Sequence, residues 1–464
     1  MEKRKRIPRV MIAAVSSGSG KTTITCSLLQ SMLNHGMKPV SHKCGPDYID
    51  PMFHRHVLGM PGGNLDSFFC EEKWIRYLLA RQSEQGTISV IEGVMGYFDG
   101  IGMTYKASSF DIARITNTPV ILIVNTKGMS GSIPAVIQGF LEYERRLLKE
   151  IHQEDKEFAG GEGFIQGVIL NQLPVSFYPA VKAEVEKLGV ICFGYVPSKK
   201  EWKLESRHLG LWAEQKNIRE KISGMADFIE QTVDVQGIIK LAQSGHDLEI
   251  CQEPISEPVR KRVKLAVARD EAFSFIYPEN IMLLEELGCE IRYFSPIRDS
   301  HLPEHCQGLI LNGGYPELYA RQLSENKSIM REIKEALESG MPALAECGGF
   351  MYLHEELENK EKEVFSMVGM IKGRVFYTGK LSRFGYIYLE NEQEGKLKAH
   401  EFHYWDSENN GNRFHAVKAS GKGRWEAGHK IKNLYAGFPH LYYYGNIDFV
   451  KRFVEEAIKY EGKK

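Results

Sequence analysis

The sequence predicts two α/β domains in tandem, each built on a parallel sheet. Three observations predict it. In the first half, short apolar runs at 10–15, 88–91, 120–124 and 167–170 alternate with longer amphipathic stretches, the pattern of parallel strands covered on both faces by helices. Around 243–262 that pattern lapses into Ser, Gly, Asp, Glu and Pro and ends on Arg260-Lys-Arg262, a linker composition. A fresh strand at 263–267 then opens a second unit, with further strands at 310–311 and 343–345 and a Tyr- and Phe-rich tail of short strands and turns. The boundary falls near 250, giving domains 1–250 and 251–464, and 464 residues are ample for two buried cores.

Bulk properties narrow the function. Lys+Arg is 59 and Asp+Glu is 60, a balance that argues against a nucleic-acid binder held by net charge. No apolar run approaches the ~20 residues of a membrane span. The basic start, Met1-Glu-Lys-Arg-Lys-Arg6, reads as a solvated tail rather than a targeting signal, because a strand and a glycine loop follow it. The eight cysteines are scattered with no CxxC pair, which excludes the familiar zinc and iron–sulfur spacings and suggests a reducing, cytoplasmic setting.

The first strand, at 10–15, runs into Ser16-Ser-Gly-Ser-Gly-Lys-Thr-Thr23 and a helix at 21–35 whose Ile24, Leu28, Leu29, Met32 and Leu33 share one face before Gly36. Nucleotide phosphates concentrate negative charge. Gly18, Ser19 and Gly20 let backbone N–H groups turn inward, and the helix start adds positive potential. Lys21 can reach the β- and γ-phosphates, the Thr22 hydroxyl can bind Mg2+, and Thr23 completes the ATP-binding series. The strict pattern places a further Gly where this chain has Val15, so the loop is a variant. Magnesium needs more oxygen ligands. Glu92 ends the apolar strand at 88–91 and is the first candidate; Asp47, in Lys43-Cys-Gly-Pro-Asp47, is the second. Asn171, after the strand at 167–170, is placed to read an adenine edge.

In the second half, Ala343-Leu-Ala-Glu-Cys-Gly-Gly349 is a strand ending in Cys between Glu and two glycines. A sharp strand-to-helix turn would expose the sulfur at a helix N-terminus and lower its pKa. Gly348 and Gly314, the latter from the Asn312-Gly-Gly314 turn, can offer N–H groups to an oxyanion. A nucleophilic Cys347 wants a base, and His440 in Gly437-Phe-Pro-His440 is the candidate. His400-Glu-Phe-His403 lacks two further ligands at metal spacing and reads as structural or substrate-contacting.

These motifs, in order, resemble the cobyrinate a,c-diamide synthase family, the glutamine-hydrolysing amidotransferases of corrin synthesis. The resemblance spans nearly the whole chain. Besides the phosphate loop it includes Gly45-Pro-Asp-Tyr-Ile-Asp-Pro51, Asn64-Leu-Asp66, Glu92-Gly-Val-Met-Gly-Tyr-Phe-Asp-Gly100, Arg207-His-Leu-Gly-Leu211, Tyr277-Pro-Glu-Asn280, Gly313-Gly-Tyr-Pro-Glu317 and Ala345-Glu-Cys-Gly-Gly349. It implies an N-terminal ATP-dependent amidoligase domain similar to dethiobiotin synthetase and a C-terminal class I, triad-type glutamine amidotransferase domain, with Cys347 as nucleophile and His440 as base. Related glutaminases carry His-x-Glu; here Tyr442 stands two after His440, which leaves open whether any carboxylate orients the imidazole. The resemblance further implies ATP as co-substrate, Mg2+, L-glutamine as nitrogen donor, and acyl-phosphate activation of the a and c acetates of cobyrinate. By motif position Tyr48, Asp50, His54, Asn64 and Asp66 are candidates for binding the tetrapyrrole, with loop packing beside the phosphates as the other reading. A homodimer is a candidate assembly; no nucleic acid or membrane partner is expected. Rival substrates are hydrogenobyrinate, nickel sirohydrochlorin and sirohaem. A partition-type ATPase switch is disfavoured, because its signature Lys would stand where the chain has Ser16.

Overall fold

The computed structural model describes residues 2–154, 163–199, 202, 215–251 and 262–460. The chain divides into two compact units, Met1–Gln252 and Glu253–Lys464. The motif at 207–211 and residues 252–261 of the expected linker lie outside the described residues.

The first unit is built on a seven-stranded sheet. From edge to edge its strands are Gly62–Leu65, Pro39–Cys44, Ile88–Glu92, Arg9–Ala14, Val120–Asn125, Ile165–Asn171 and Ile191–Val196, and every neighbouring pair is parallel. The central strands are buried along their length, as continuous apolar runs under helices on both faces must be. The helix Lys21–Asn34 packs Ile24, Leu28, Leu29 and Met32 into the core shared with Val10, Ile12 and Ile123; each such side chain contributes roughly 1.5–3 kcal/mol of burial. Leu33, expected on the same face, is only half-buried.

The N-terminus differs from the solvated tail read in the sequence. Glu2–Lys5 pairs antiparallel with Leu248–Cys251, and Arg4 donates to Glu249 at 2.7 Å. Pairing satisfies the backbone groups of both strands of this ribbon, while Leu248 and Ile250 are buried. Beneath it the fully buried Arg9 donates to the carbonyls of Ile7, Thr116, Asn117 and His246.

The second unit contains a six-stranded sheet, Cys289–Phe294, Val263–Ala268, Gly308–Leu311, Ala343–Glu346, Leu434–Gly437 and His429–Ile431. Its pairings are parallel except at the last strand. The remaining strands form a mixed four-stranded sheet and an antiparallel five-stranded one. The five-stranded sheet sets Gly395–His403 beside the short strand His440–Leu441. All described free cysteines, Cys347 among them, are buried. Among the described residues no helix is long and apolar enough to cross a membrane.

Candidate active sites

In the first unit the strand Arg9–Ala14 delivers the loop to the helix starting at Lys21. Gly18 and Gly20 have φ of +73° and +95°, the left-handed region that glycine enters freely. At Gly20 a Cβ would lie 2.4 Å from Asn171 Nδ2. Asn171 itself donates to Ser19 O at 2.8 Å and accepts from the Gln172 N–H. Its amide therefore braces the loop from the next strands of the sheet, a duty that the adenine-edge reading did not foresee.

Behind the loop lies a dense set of charges. Thr22 donates to Glu92 Oε1 at 2.7 Å, and Lys43 Nζ reaches the same oxygen at 2.9 Å and Asp50 Oδ2 at 2.5 Å. Burial opposes the Lys43 charge, yet Asp50 and Glu92 hold its pKa well above the ordinary lysine value. Burial would likewise raise Asp50, but Lys43 holds it low; burial and Asp50 push Asp47 up. Lys21 bonds the Met95 carbonyl, and burial, followed by repulsion from Lys43, lowers it to about 8. Lys43 was missed in the sequence. The signal was there: a lysine in a fully buried strand, Pro39–Cys44, must find anionic partners.

A hard cation fits this corner. Glu92 is fully buried and its Oε2 has no hydrogen-bond partner, while the Thr22 hydroxyl touches the same carboxylate. Among the described residues no group of three or more His, Cys, Asp or Glu could hold a metal alone, so Mg2+ here would draw most of its ligands from phosphate and water.

The expected substrate contacts divide. Asn64 donates to the carbonyls of Gly45 and Asp47 at 2.9 and 2.7 Å. Asp66 accepts from the N–H groups of Phe68 and Phe69. His54 Nδ1 meets Ser41 at 2.7 Å, and its Nε2 faces Cys26 at 3.5 Å and Glu92 at 3.7 Å. As they stand, these three brace neighbouring segments from within: each is at most 2% exposed. Asp50 is committed to Lys43. Tyr48, beside Asp47, is also largely buried.

In the second unit Cys347 joins the strand Ala343–Glu346 to the short helix Gly348–Tyr352 with φ +45° and ψ −102°, a strained elbow for a non-glycine residue. Its N–H donates to Gly437 O at 2.8 Å. The following glycines are sterically required. A Cβ on Gly349 would meet Leu311 O at 2.1 Å, and one on Gly348 would lie 3.0 Å from Gly314 N. Gly314 and Gly348 thus meet beside the sulfur-bearing residue, as an oxyanion pocket asks.

The thiol environment departs from expectation. Cys347 is 5% exposed, and burial, followed by Glu317, pushes its pKa up rather than down. A helix of five residues cannot outweigh that desolvation. Glu317 and Glu346 are themselves pushed up to about 8 by burial. His440 is 2% exposed and driven well below the ordinary histidine value by burial, then by His400 and His403.

His440 is held closely. A Cβ on Gly313 would lie 2.5 Å from its Cε1, the His400 ring is 4.9 Å away, and Glu346 Oε2 is 3.8 Å from its Nδ1. His400 Nε2 bonds Tyr277 Oη at 2.8 Å. Asn280 donates to Leu441 O at 3.0 Å and accepts from Tyr443 N–H at 2.8 Å. The Tyr277–Asn280 motif therefore clamps the chain just after the imidazole and the His400 ring beside it. His403 lies face to face on Phe438 at 3.9 Å, a packing role.

A phosphate-binding loop in one unit and a cysteine elbow with a nearby histidine in the other define a nucleotide-dependent glutamine amidotransferase. Residues 10–211 match the CobQ/CobB/MinD/ParA nucleotide binding domain, and residues 264–447 match the CobB/CobQ-like glutamine amidotransferase domain. The chain is 38% identical to the cobyrinate a,c-diamide synthase of Caldanaerobacter subterraneus subsp. tengcongensis, over 98% of this chain and 99% of that one. It is 36% identical to the synthase of Thermoplasma volcanium, over 99% of each, and 36% identical to that of Clostridium acetobutylicum, over 96% and 99%. The chain belongs to the cobyrinate a,c-diamide synthase family of glutamine-dependent amidating ligases.

Proposed function

We propose that this chain amidates the a and c acetate side chains of cobyrinate, using ATP to activate each carboxylate and glutamine to supply the nitrogen. The observation that carries the reading is the presence, in one chain of this family, of a Lys-Thr phosphate loop backed by Glu92 and a cysteine elbow beside His440.

A carboxylate is a poor electrophile, and ammonia is mostly protonated at neutral pH, so each partner needs its own chemistry. Gly18, Ser19, Gly20, Lys21, Thr22 and Thr23 cradle the phosphates of ATP, with Asn171 stiffening the loop. Thr22, Asp47 and Glu92 would hold Mg2+, which when bound neutralises charge on the phosphates. The substrate carboxylate attacks the γ-phosphorus, ADP leaves, and an acyl phosphate results; this chemistry asks mainly for position and charge neutralisation. Tyr48 and the loop carrying it supply the substrate contact in this reading. At the other site the Cys347 proton passes to His440 as sulfur adds to the glutamine amide carbon. The N–H groups of Gly314 and Gly348 hold the oxyanion. His440 returns the proton to the departing nitrogen, and water later cleaves the thioester to glutamate. Ammonia then displaces phosphate from the acyl phosphate, and the cycle repeats on the second acetate.

The test is a panel of cobyrinate, hydrogenobyrinate, nickel sirohydrochlorin and sirohaem, each incubated with Mg-ATP and glutamine and read by mass. Two added amides on cobyrinate, with two ATP consumed, are expected. Turnover confined to another ring would reassign the substrate while keeping the chemistry.

A further inference from the structure

Two residues after His440 stands Tyr442, fully buried and packed edge-on against Tyr277 at 5.1 Å. It supplies no carboxylate to the imidazole. The residue before the nucleophile does face it. The strands Ala343–Glu346 and Leu434–Gly437 run parallel with Glu346 opposite Gly437, and three residues beyond Gly437 the chain reaches His440. One register thus places the elbow and the histidine together. Burial pushes the Glu346 carboxyl up to about 8, and the Leu441 backbone N–H that it faces works against that rise. Its Oε2 is 3.8 Å from His440 Nδ1, and its Oε1 is buried without a hydrogen-bond partner. A Cβ on Gly313 would clash with Cε1 of the same ring, so only glycine at that position leaves the imidazole its place.

We propose that Glu346, adjacent in sequence to the nucleophile, is the positioning carboxylate of His440, in place of the glutamate that Tyr442 replaces. It acts through the histidine: by accepting from Nδ1–H it fixes the tautomer that leaves Nε2 to take the thiol proton, and it stabilises the imidazolium formed. The 3.8 Å separation shortens into a hydrogen bond when glutamine occupies the site, as catalytic contacts commonly tighten in the substrate complex. The inference rests on the glutaminase reading of Cys347.

The test is Glu346→Gln in the full-length chain. Glutamine keeps an oxygen for the Leu441 N–H but cannot ionise, so a residue that merely braced the backbone would survive the change. Glutaminase kcat is expected to fall roughly 10²- to 10⁴-fold, with KM for glutamine within about threefold, and the acid limb of the pH–kcat profile to move. The titratable groups around the pair are Cys347, Glu317 from the turn Pro316–Leu318, His400, Glu401 and His403 from the strand Gly395–His403, and Tyr443; all are unchanged in the variant, so a moved limb belongs to Glu346. The midpoint of thermal unfolding checks that the variant is folded. Unaltered kcat and pH profile in Glu346→Gln, with Cys347→Ala inactive, would overturn the proposal alone. Glutaminase activity persisting in Cys347→Ala would instead remove the reading beneath it.

Discussion

In the phosphate-loop unit, Lys43 sits between Asp50 and Glu92 at 2.5 and 2.9 Å, and Thr22 adds a hydrogen bond to the same Glu92 oxygen. In the thiol unit, Glu317, Glu346 and Glu401 are buried around Cys347, yet both oxygens of Glu401 and one of Glu346 lack hydrogen-bond partners. The first site is charged and internally compensated; in the second, burial favours the neutral forms of Cys347 and His440, the proposed nucleophile and base. The chemistry differs in the same way. A triphosphate arrives already charged and needs a fixed, compensated electrostatic frame. A neutral amide needs charge only as the transition state forms. Burial raises the thiol and lowers the imidazole, which favours thiol and neutral imidazole over the thiolate–imidazolium pair.

The sharpest way to break this comparison is to disable one site at a time. Cys347→Ala is expected to lower glutamine-dependent amidation by on the order of 10⁴-fold or more, while synthesis from ammonium salts continues. Lys21→Ala should cost on the order of 10³-fold with either nitrogen source. Assaying both variants with both donors checks the division of labour; equal loss from both donors in Cys347→Ala would abolish it.

A smaller effect tests the compensation itself. Lys43→Met leaves Asp50 and Glu92 buried without their cation, a change that typically costs about 3–5 kcal/mol. At roughly 2–4 °C per kcal/mol, the thermal midpoint should fall by about 10 °C. An unchanged midpoint would mean that the carboxylates shed their charge on losing the lysine.

How much of this was legible in the sequence follows from how local each feature is. The loop at 16–23, the elbow at 343–349 and the apolar strands are runs of adjacent residues, and they read directly. The alternation of strand and helix gave the parallel sheets. Lys43 against Glu92, Glu346 against His440, and Asn171 against Ser19 arise from strand pairing across tens of residues or more, and no local pattern announces them. Asn64, Asp66 and His54 stood in family motifs, but motif position alone does not say whether a polar side chain faces a ligand or a neighbouring loop; these three face inward. The thiol pKa was misjudged for a related reason: a helix start is visible in sequence, whereas desolvation by several distant elements is not.

The smallest expected effect concerns pH, and it sharpens the contrast between compensated and uncompensated burial. Glu317 and Glu346 have an ordinary value of 4.5 and are pushed up to about 8 by burial. Between those limits the folded chain holds protons that the unfolded chain has released, so stability falls as pH rises. Glu144 in the other unit, raised by burial to about 7, acts in the same sense. The buried histidines His42, His54, His354, His400 and His440, lowered by burial from an ordinary 6.5, act oppositely, mainly below about 7. From pH 7 to 8 the buried carboxyls therefore decide the slope. Each is worth on the order of 1 kcal/mol over that interval, or roughly 2–4 °C in a unit of this size. Thermal midpoints of the unliganded protein at pH 7 and 8 should show that fall, and Glu317→Gln, which has no proton to lose, should make it shallower. A midpoint that rose with pH in the parent chain, or an undiminished fall in the variant, would show that Glu317 is ionised in the folded state and that the thiol site is better compensated than its geometry indicates.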